Sequence, residues 1–219
     1  NGEAGRFDCV EDAADGIRFE DFELLLPRGV TRFETPSIAI ERGERVRIVG
    51  GTGAGKSTLF LALAGLWSRG RGTIRHPPRA RMMFLPERPY FPLGTLKAAL
   101  AYPDAPEAFD GAAMENALEA VGLARLRGAL DTEERWDRLL PLDEQQLLAF
   151  ARLLLHRPDW VVSDDAASAL TDRARRCIET VLAGIDGLSA RALTRTDEPD
   201  PFYGRVLILD RRNGARRGG

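Results

Sequence analysis

Apolar positions along this chain fall into short alternating runs near both ends and into three- and four-residue spacings through the middle. Residues 17–26 and 37–41 alternate as strands, with a turn signal at Pro27-Arg28-Gly29 between them. Residues 45–49, Arg-Val-Arg-Ile-Val, read as a short buried strand that runs into a glycine-rich loop and then into a helical pattern from Ser57. Residues 81–85 read as another strand. From residue 96 to about 155 the period becomes helical, marked by Leu96, Ala99 and Leu100, then Met114, Leu118 and Val121, then Leu147, Leu148 and Ala151. Trp160-Val161-Val162 is a strand that ends in acids. A helix over 171–182 and strands over 190–193 and 205–209 complete the pattern. Strands alternating with helices predict an α/β fold with a mainly parallel sheet, and residues 90–155 read as an inserted helical subdomain. Residues 1–16 are acidic and rich in glycine and alanine without apolar periodicity, which predicts a linker or tether. Residues 211–219 read as a disordered basic tail.

Composition narrows the classes. The chain has 219 residues, room for one or two domains. Its 31 basic and 33 acidic side chains leave a net charge of −2, so no global basic field is available to grip nucleic acid. The longest apolar stretch, residues 59–67, falls well short of the roughly 20 residues a membrane span needs. No secretory signal is visible in the polar first residues. Cys9 and Cys177 are far apart and form no metal-ligand or redox spacing, which predicts free thiols in a reducing compartment. Zinc enzyme, disulfide-stapled miniprotein and autonomous membrane protein are excluded as classes.

The strongest chemical signal is Gly50-Gly51-Thr52-Gly53-Ala54-Gly55-Lys56-Ser57, a full G-x-x-x-x-G-K-[ST] between a strand and a helix. Glycines let the backbone fold so that successive N–H groups point at phosphate oxygens, and the start of the following helix adds partial positive charge. Lys56 is placed to reach the outer phosphates and the Ser57 hydroxyl to ligate Mg²⁺, with Thr58 next in the same turn. Of the 31 basic residues only Lys56 and Lys97 are lysine. A compact ammonium fits between phosphates where a planar guanidinium does not. Downstream, Asp164 ends the strand 160–162 and is the candidate Mg²⁺ carboxylate, and Asp165 is the candidate to orient or deprotonate water.

These motifs, in this order, resemble the ATP-binding domain of ABC transporters over nearly all of residues 17–209. Residues 50–58 look like its phosphate loop, and Leu85-Pro86-Glu87 sits at the Q-loop position. Leu140-Pro141-Leu142-Asp143-Glu144-Gln145-Gln146 stands at the LSGGQ signature, and Asp164-Asp165-Ala166-Ala167-Ser168-Ala169-Leu170 at the Walker B end and D-loop. Gly65-Leu66-Trp67 with Glu87-Arg88-Pro89-Tyr90 is similar to two half-transporter groups, the peroxisomal fatty-acyl and the bacterial antimicrobial-peptide/cobalamin transporters. In both groups this module follows an N-terminal membrane domain. The resemblance thus implies ATP and Mg²⁺ as ligands and a transmembrane domain and a second ATP-binding domain as partners. It also implies a place on the cytoplasmic face of the inner or plasma membrane, and a domain spanning residues 17–210. For Tyr90 and Phe91 two readings stand: the resemblance implies that they face the membrane domain, and packing alone accounts for them nearly as well.

The departures from the family pattern shape the functional expectation. Pro141 stands for the signature Ser and Asp143 for its second Gly, so a hydroxyl and an N–H are lost and a carboxylate is brought towards the partner's γ-phosphate. A like-charged pair about 4 Å apart repels by roughly 4 kcal/mol at an effective dielectric near 20. Glu87 replaces the Q-loop Gln, Asp165 the catalytic Glu, and Arg195 the switch His. Leu26 stands at the adenine-stacking position, and His76 and His156 are read as surface or packing residues. Two readings follow. One is a transport ATPase with Asp165, Glu87 and Arg195 as weakened catalytic residues. The other is a degenerate, non-hydrolysing module that regulates a heterodimer. An unrelated P-loop kinase or GTPase does not account for the motifs after Lys56.

Overall fold

The computed structural model describes residues 5–12, 16–27, 29–164, 166, 170–183, 189–193 and 201–212. In chain order the described residues form β1 (Asp8–Glu11), β2 (Gly16–Leu26), β3 (Gly29–Phe33), β4 (Ser37–Glu41), β5 (Arg45–Val49), α1 (Lys56–Leu63), β6 (Gly70–His76) and β7 (Met82–Leu85). Then come β8 (Gly94–Thr95), α2 (Leu96–Ala101), α3 (Gly111–Ala120), β9 (Glu133–Glu134), α4 (Trp136–Leu139) and α5 (Leu142–His156). The chain closes with β10 (Trp160–Asp164), α6 (Asp172–Ala183), β11 (Ser189–Leu193) and β12 (Arg205–Arg212). Two compact units result, one from Asn1–Phe84, Asp159–Asp165 and Gly187–Gly219, the other from Leu85–Pro158 and Ala166–Asp186.

The first unit is built on one sheet in the order β1-β6-β2-β3-β12-β5-β11-β10-β7, with β4 also paired to β2. Its centre is parallel: β12, β11 and β10 run with β5, from Arg205↔Val46 on one side and Ala190↔Arg45 on the other. Residues 46–49 of β5 are all buried, as expected of a parallel strand covered on both faces. The outer strands β2, β3 and β4 pair antiparallel, and β4 shows the period-2 signature of a strand with one wet face, burying Ile38 and Ile40. Leu59 and Leu63 of α1 join Ile48, Trp160, Val162 and Leu207 in a single core with Phe19, Leu24 and Ile40. At the foot of β10, Asp159 takes an ion pair from Arg42 at 2.8 Å and another from Arg81 at 2.6 Å.

Three sequence expectations change here. Residues 8–11 are not linker: β1 pairs in parallel with β6, from Asp8↔Thr73 to Glu11↔His76. All four of its residues are exposed, so this edge strand carries no alternation to read. The turn between residues 26 and 37 contains a further strand, β3. Arg211 and Arg212 belong to β12 rather than to a tail.

The second unit is helical, though not one continuous pattern: short 3₁₀ turns at Pro106–Ala108 and Ala124–Ala129 separate α2, α3 and the helices after them. It extends beyond the expected 90–155 and also takes in α6. Thr95 caps α2 by accepting from the Ala98 N–H at 3.2 Å. Among the described residues of this unit, Arg152 of α5 is a buried cation. Its guanidinium donates to the carbonyls of Ala99 and Tyr90 at 2.8 Å each and lies over the rings of Phe91 and Tyr102. Burial pushes its pKa down to about 10. Phe91 is therefore packed inside the unit, while Tyr90 is exposed.

His156 ends α5 with its ring edge-on to Phe109 and 3.5 Å from an Asp104 carboxylate oxygen. Burial, the largest influence, holds its pKa below the ordinary imidazole range against the opposing pull of Asp104. The folded state thus binds this proton less readily than the unfolded chain. The associated stability is complete above the unfolded imidazole pKa and is lost as pH falls below it. Urea midpoints measured from about pH 7.5 to about pH 5 should therefore fall more steeply for the native chain than for His156→Gln.

Candidate functional site

The loop between β5 and α1 owes its shape to what lies behind it. A Cβ on Gly50 would stand 2.5 Å from the Leu209 carbonyl oxygen and 2.9 Å from the Ala54 Cβ. Only a residue without a side chain lets the loop turn this close to β12. Gly53 and Gly55 have φ of 76° and 94°, in the left-handed region that favours glycine, and Gly55 caps the start of α1. A Cβ on Gly55 would press on Leu26 Cδ1 at 3.1 Å and on the hydroxyl of the fully buried Thr31 at 3.2 Å.

Lys56 opens α1 and is buried to 8% exposure. Its ammonium bends back over the loop and donates to the carbonyl of Gly50, and to that of Gly51 at 3.3 Å. Ser57 is exposed beside it and Thr58 half-buried. Around them opens a cleft of about 500 Å³, within the ordinary range for a small-molecule site. Thr52, Gly53, Ala54, Gly55, Lys56, Ser57 and Thr58 form one wall, and Leu26 with Pro27, Asp164 and Arg211 the rest. The structure thus brings together the phosphate-loop residues and the expected metal carboxylate, although residues 57 and 164 are over a hundred positions apart in sequence. Gly50 and Gly51 stand behind the cleft and hold the lysine. Leu26, the residue read at the adenine-stacking position, lines the cleft together with Pro27.

Glu87 is exposed at the start of the second unit, and its carbonyl accepts from the fully buried Gln146 side chain at 3.1 Å. Asp165 and Arg195 lie outside the described residues. In the signature segment, Pro141 is the extended residue capping α5, and Asp143 and Glu144 sit in its first turn. The Gln145 amide donates to the carbonyls of Asp137 at 3.0 Å and Leu140 at 2.8 Å. Among the described residues, no group of three or more His, Cys, Asp or Glu stands together as a protein-only metal site. Ser57 and Asp164 are oxygen donors on one cleft, which suits a hard cation such as Mg²⁺ that takes its other ligands from phosphate and water.

Sequence reasoning missed Arg211. Residues 210–212 are all charged, so no apolar period in the sequence marked them as a continuation of the strand.

Residues 33–168 match the family model described as ABC transporter. The chain belongs to the ABC transporter family. It is 43% identical over 137 residues to an uncharacterised ABC transporter ATP-binding protein of Synechocystis, covering 61% of this chain and 21% of that protein. It is 31% identical over 214 residues to ABC transporter D family member 1 of Arabidopsis thaliana, covering 92% of this chain and 16% of that one. Sub-family D member 3 of Rattus norvegicus matches at 32% over 170 residues, 74% of this chain and 26% of the rat protein. This ABC-family chain therefore spans a quarter or less of most of these relatives' length. In fold it matches a bacterial Atm1-family ABC exporter solved with ATP bound, with a TM-score of 0.73 at 24% identity over 94% of this chain and 38% of the exporter. The α/β P-loop architecture read from the sequence is the one observed. Among the described residues no helix is long and apolar enough to cross a membrane.

The close packing behind the loop separates two neighbouring glycines. Gly50→Ala should cost about 1–3 kcal/mol in urea unfolding, because its methyl meets the Leu209 carbonyl. Gly51→Ala, with nothing within 4 Å of its Cβ, should stay within roughly 0.5 kcal/mol of the native chain.

Proposed function

We propose that this chain binds ATP with Mg²⁺ in the Lys56 cleft and couples binding and slow hydrolysis to transport by a membrane domain. The observation that carries this reading is the convergence of Lys56, Ser57 and Asp164 on one glycine-backed cleft. The loop N–H groups and the start of α1 hold the phosphate chain. Lys56 exchanges the carbonyls of Gly50 and Gly51 for phosphate oxygens as the nucleotide enters. Ser57 and Asp164 would hold Mg²⁺, for which Glu87 at the Q-loop position is a further candidate ligand by sequence, and the ion would supply positive charge to the phosphates. Leu26 and Pro27 offer the base an aliphatic surface. Asp165, next in sequence after Asp164, orients the attacking water, and Arg195 takes the position of the switch residue. Each of the last two is a substitute for the family's usual group, and a shorter carboxylate at 165 slows the chemistry.

The module works against a second ATP-binding domain, in keeping with the dimeric arrangement of its family. The membrane domain places it at the cytoplasmic face of a membrane. The similarity of the whole domain to transporter proteins favours this reading over a purely regulatory module.

Mg-ATP turnover measured across a protein-concentration series should rise more than linearly, vanish in Lys56→Ala, and remain below about 1 s⁻¹. Linear turnover that survives Lys56→Ala would overturn the assignment of the site.

A further inference from the structure

We infer that Arg211 is a second phosphate-binding cation of this site, delivered by β12 from the wall facing the glycine loop. The inference rests on the nucleotide reading of the cleft and adds a residue to it. Its geometry follows from one strand's register. β12 runs parallel to β5 as far as Ile208↔Val49, and Leu209 then backs directly on Gly50. Beyond that point β12 pairs antiparallel with β3, where Arg211 stands opposite Thr31. The change of partner keeps the strand extended for three more residues and aims the arginine along the loop. A Cβ on Gly53 would stand only 3.2 Å from Arg211 Nη1, so the guanidinium occupies the space that a side chain at position 53 would fill. Arg211 lines the same cleft as Lys56, Ser57 and Asp164.

Charge points the same way. Of the described residues lining the cleft, Lys56 and Arg211 are cationic and Asp164 alone is anionic. The loop N–H groups and the start of α1 add partial positive charge on that side. This concentration suits a ligand with several negative charges rather than a neutral or singly charged one. The two cations are also different instruments. Lys56 is enclosed by the loop and acts as a point charge, whereas a guanidinium presents a planar fork that can take two oxygens of one phosphate, or one oxygen from each of two. Arg211 therefore acts on the polyphosphate, and its contribution grows with the number of phosphates.

The test uses the whole 219-residue chain and compares MgATP, MgADP and AMP by calorimetry, with inorganic tripolyphosphate as competitor. Arg211→Gln keeps most of the aliphatic stem and removes the charge. It should weaken MgATP binding about tenfold to a hundredfold, MgADP binding less, and AMP binding hardly at all. Tripolyphosphate should compete less well in the variant, and the salt dependence of ATP affinity should flatten. Native ATP affinity in Arg211→Gln alongside its loss in Lys56→Ala would overturn the role of Arg211 and leave the site standing. An equal loss for ATP, ADP and AMP would assign the guanidinium to the base or ribose and overturn the phosphate role. Failure of the native protein itself to bind ATP would remove the underlying reading of the cleft. If Arg211→Gln does not fold, Arg211→Met decides, since it keeps an unbranched stem without the charge. A several-fold loss for ATP with little for AMP supports the inference, and unchanged ATP affinity overturns it.

Discussion

The close approach of β12 to the glycine loop is the constraint on which this site depends. The Leu209 carbonyl occupies the place where any side chain on Gly50 would go. The loop can therefore leave β5, turn over the strand end and start α1 within six residues, with Lys56 folded back onto the carbonyls of Gly50 and Gly51. β12 is also the strand that joins the parallel centre of the sheet to its antiparallel layer, since it pairs with β5 along one stretch and with β3 along the next. One strand thus supports the loop from behind, closes the core through Leu207 and Leu209, and carries Arg211 to the cleft.

The segments that depart from the family pattern make sense locally as helix-start chemistry. Pro141 lacks an N–H, and the N-terminus of a helix is where that loss costs least. Asp143 and Glu144 place two carboxylates in the first turn of α5, where the helix dipole favours negative charge, and Glu144 also meets Arg125. The Gln145 amide ties that turn to the carbonyls of Asp137 and Leu140. The same residues that remove a hydroxyl and an N–H from the signature therefore make a well-formed start for α5. Folding and phosphate contact place different demands on one segment, and the local geometry of this one satisfies folding.

The second unit illustrates the same separation for a buried charge. Arg152 is desolvated, yet its donors reach two backbone carbonyls and its flat face is covered by two rings. Those contacts fix the backbone of residues 90 and 91, so that Phe91 packs inward while Tyr90 remains exposed. A pair of adjacent aromatics read together in the sequence is thereby split between a core role and a surface role.

The phosphate loop, the parallel strands β5 and β10, and Asp164 were legible without coordinates. Each is a local signal: a run of consecutive backbone groups, a short apolar stretch, or an acid at a strand end. The family was legible for the same reason, through several such signals in a fixed order. The edge strand β1, strand β3 and the last residues of β12 were not. β1 is wholly exposed, and residues 210–212 are all charged, so no apolar period marks either as a strand. Their pairing comes from partners distant in sequence, Thr73 to His76 for β1 and Val30 to Phe33 for β12. The sequence by itself determined that this chain carries a G-x-x-x-x-G-K-[ST] loop between a strand and a helix of an α/β sheet. Only the tertiary structure decided that Arg211 shares the cleft with Lys56, because register between strands far apart in the chain, rather than any pattern within one of them, sets which side chains meet.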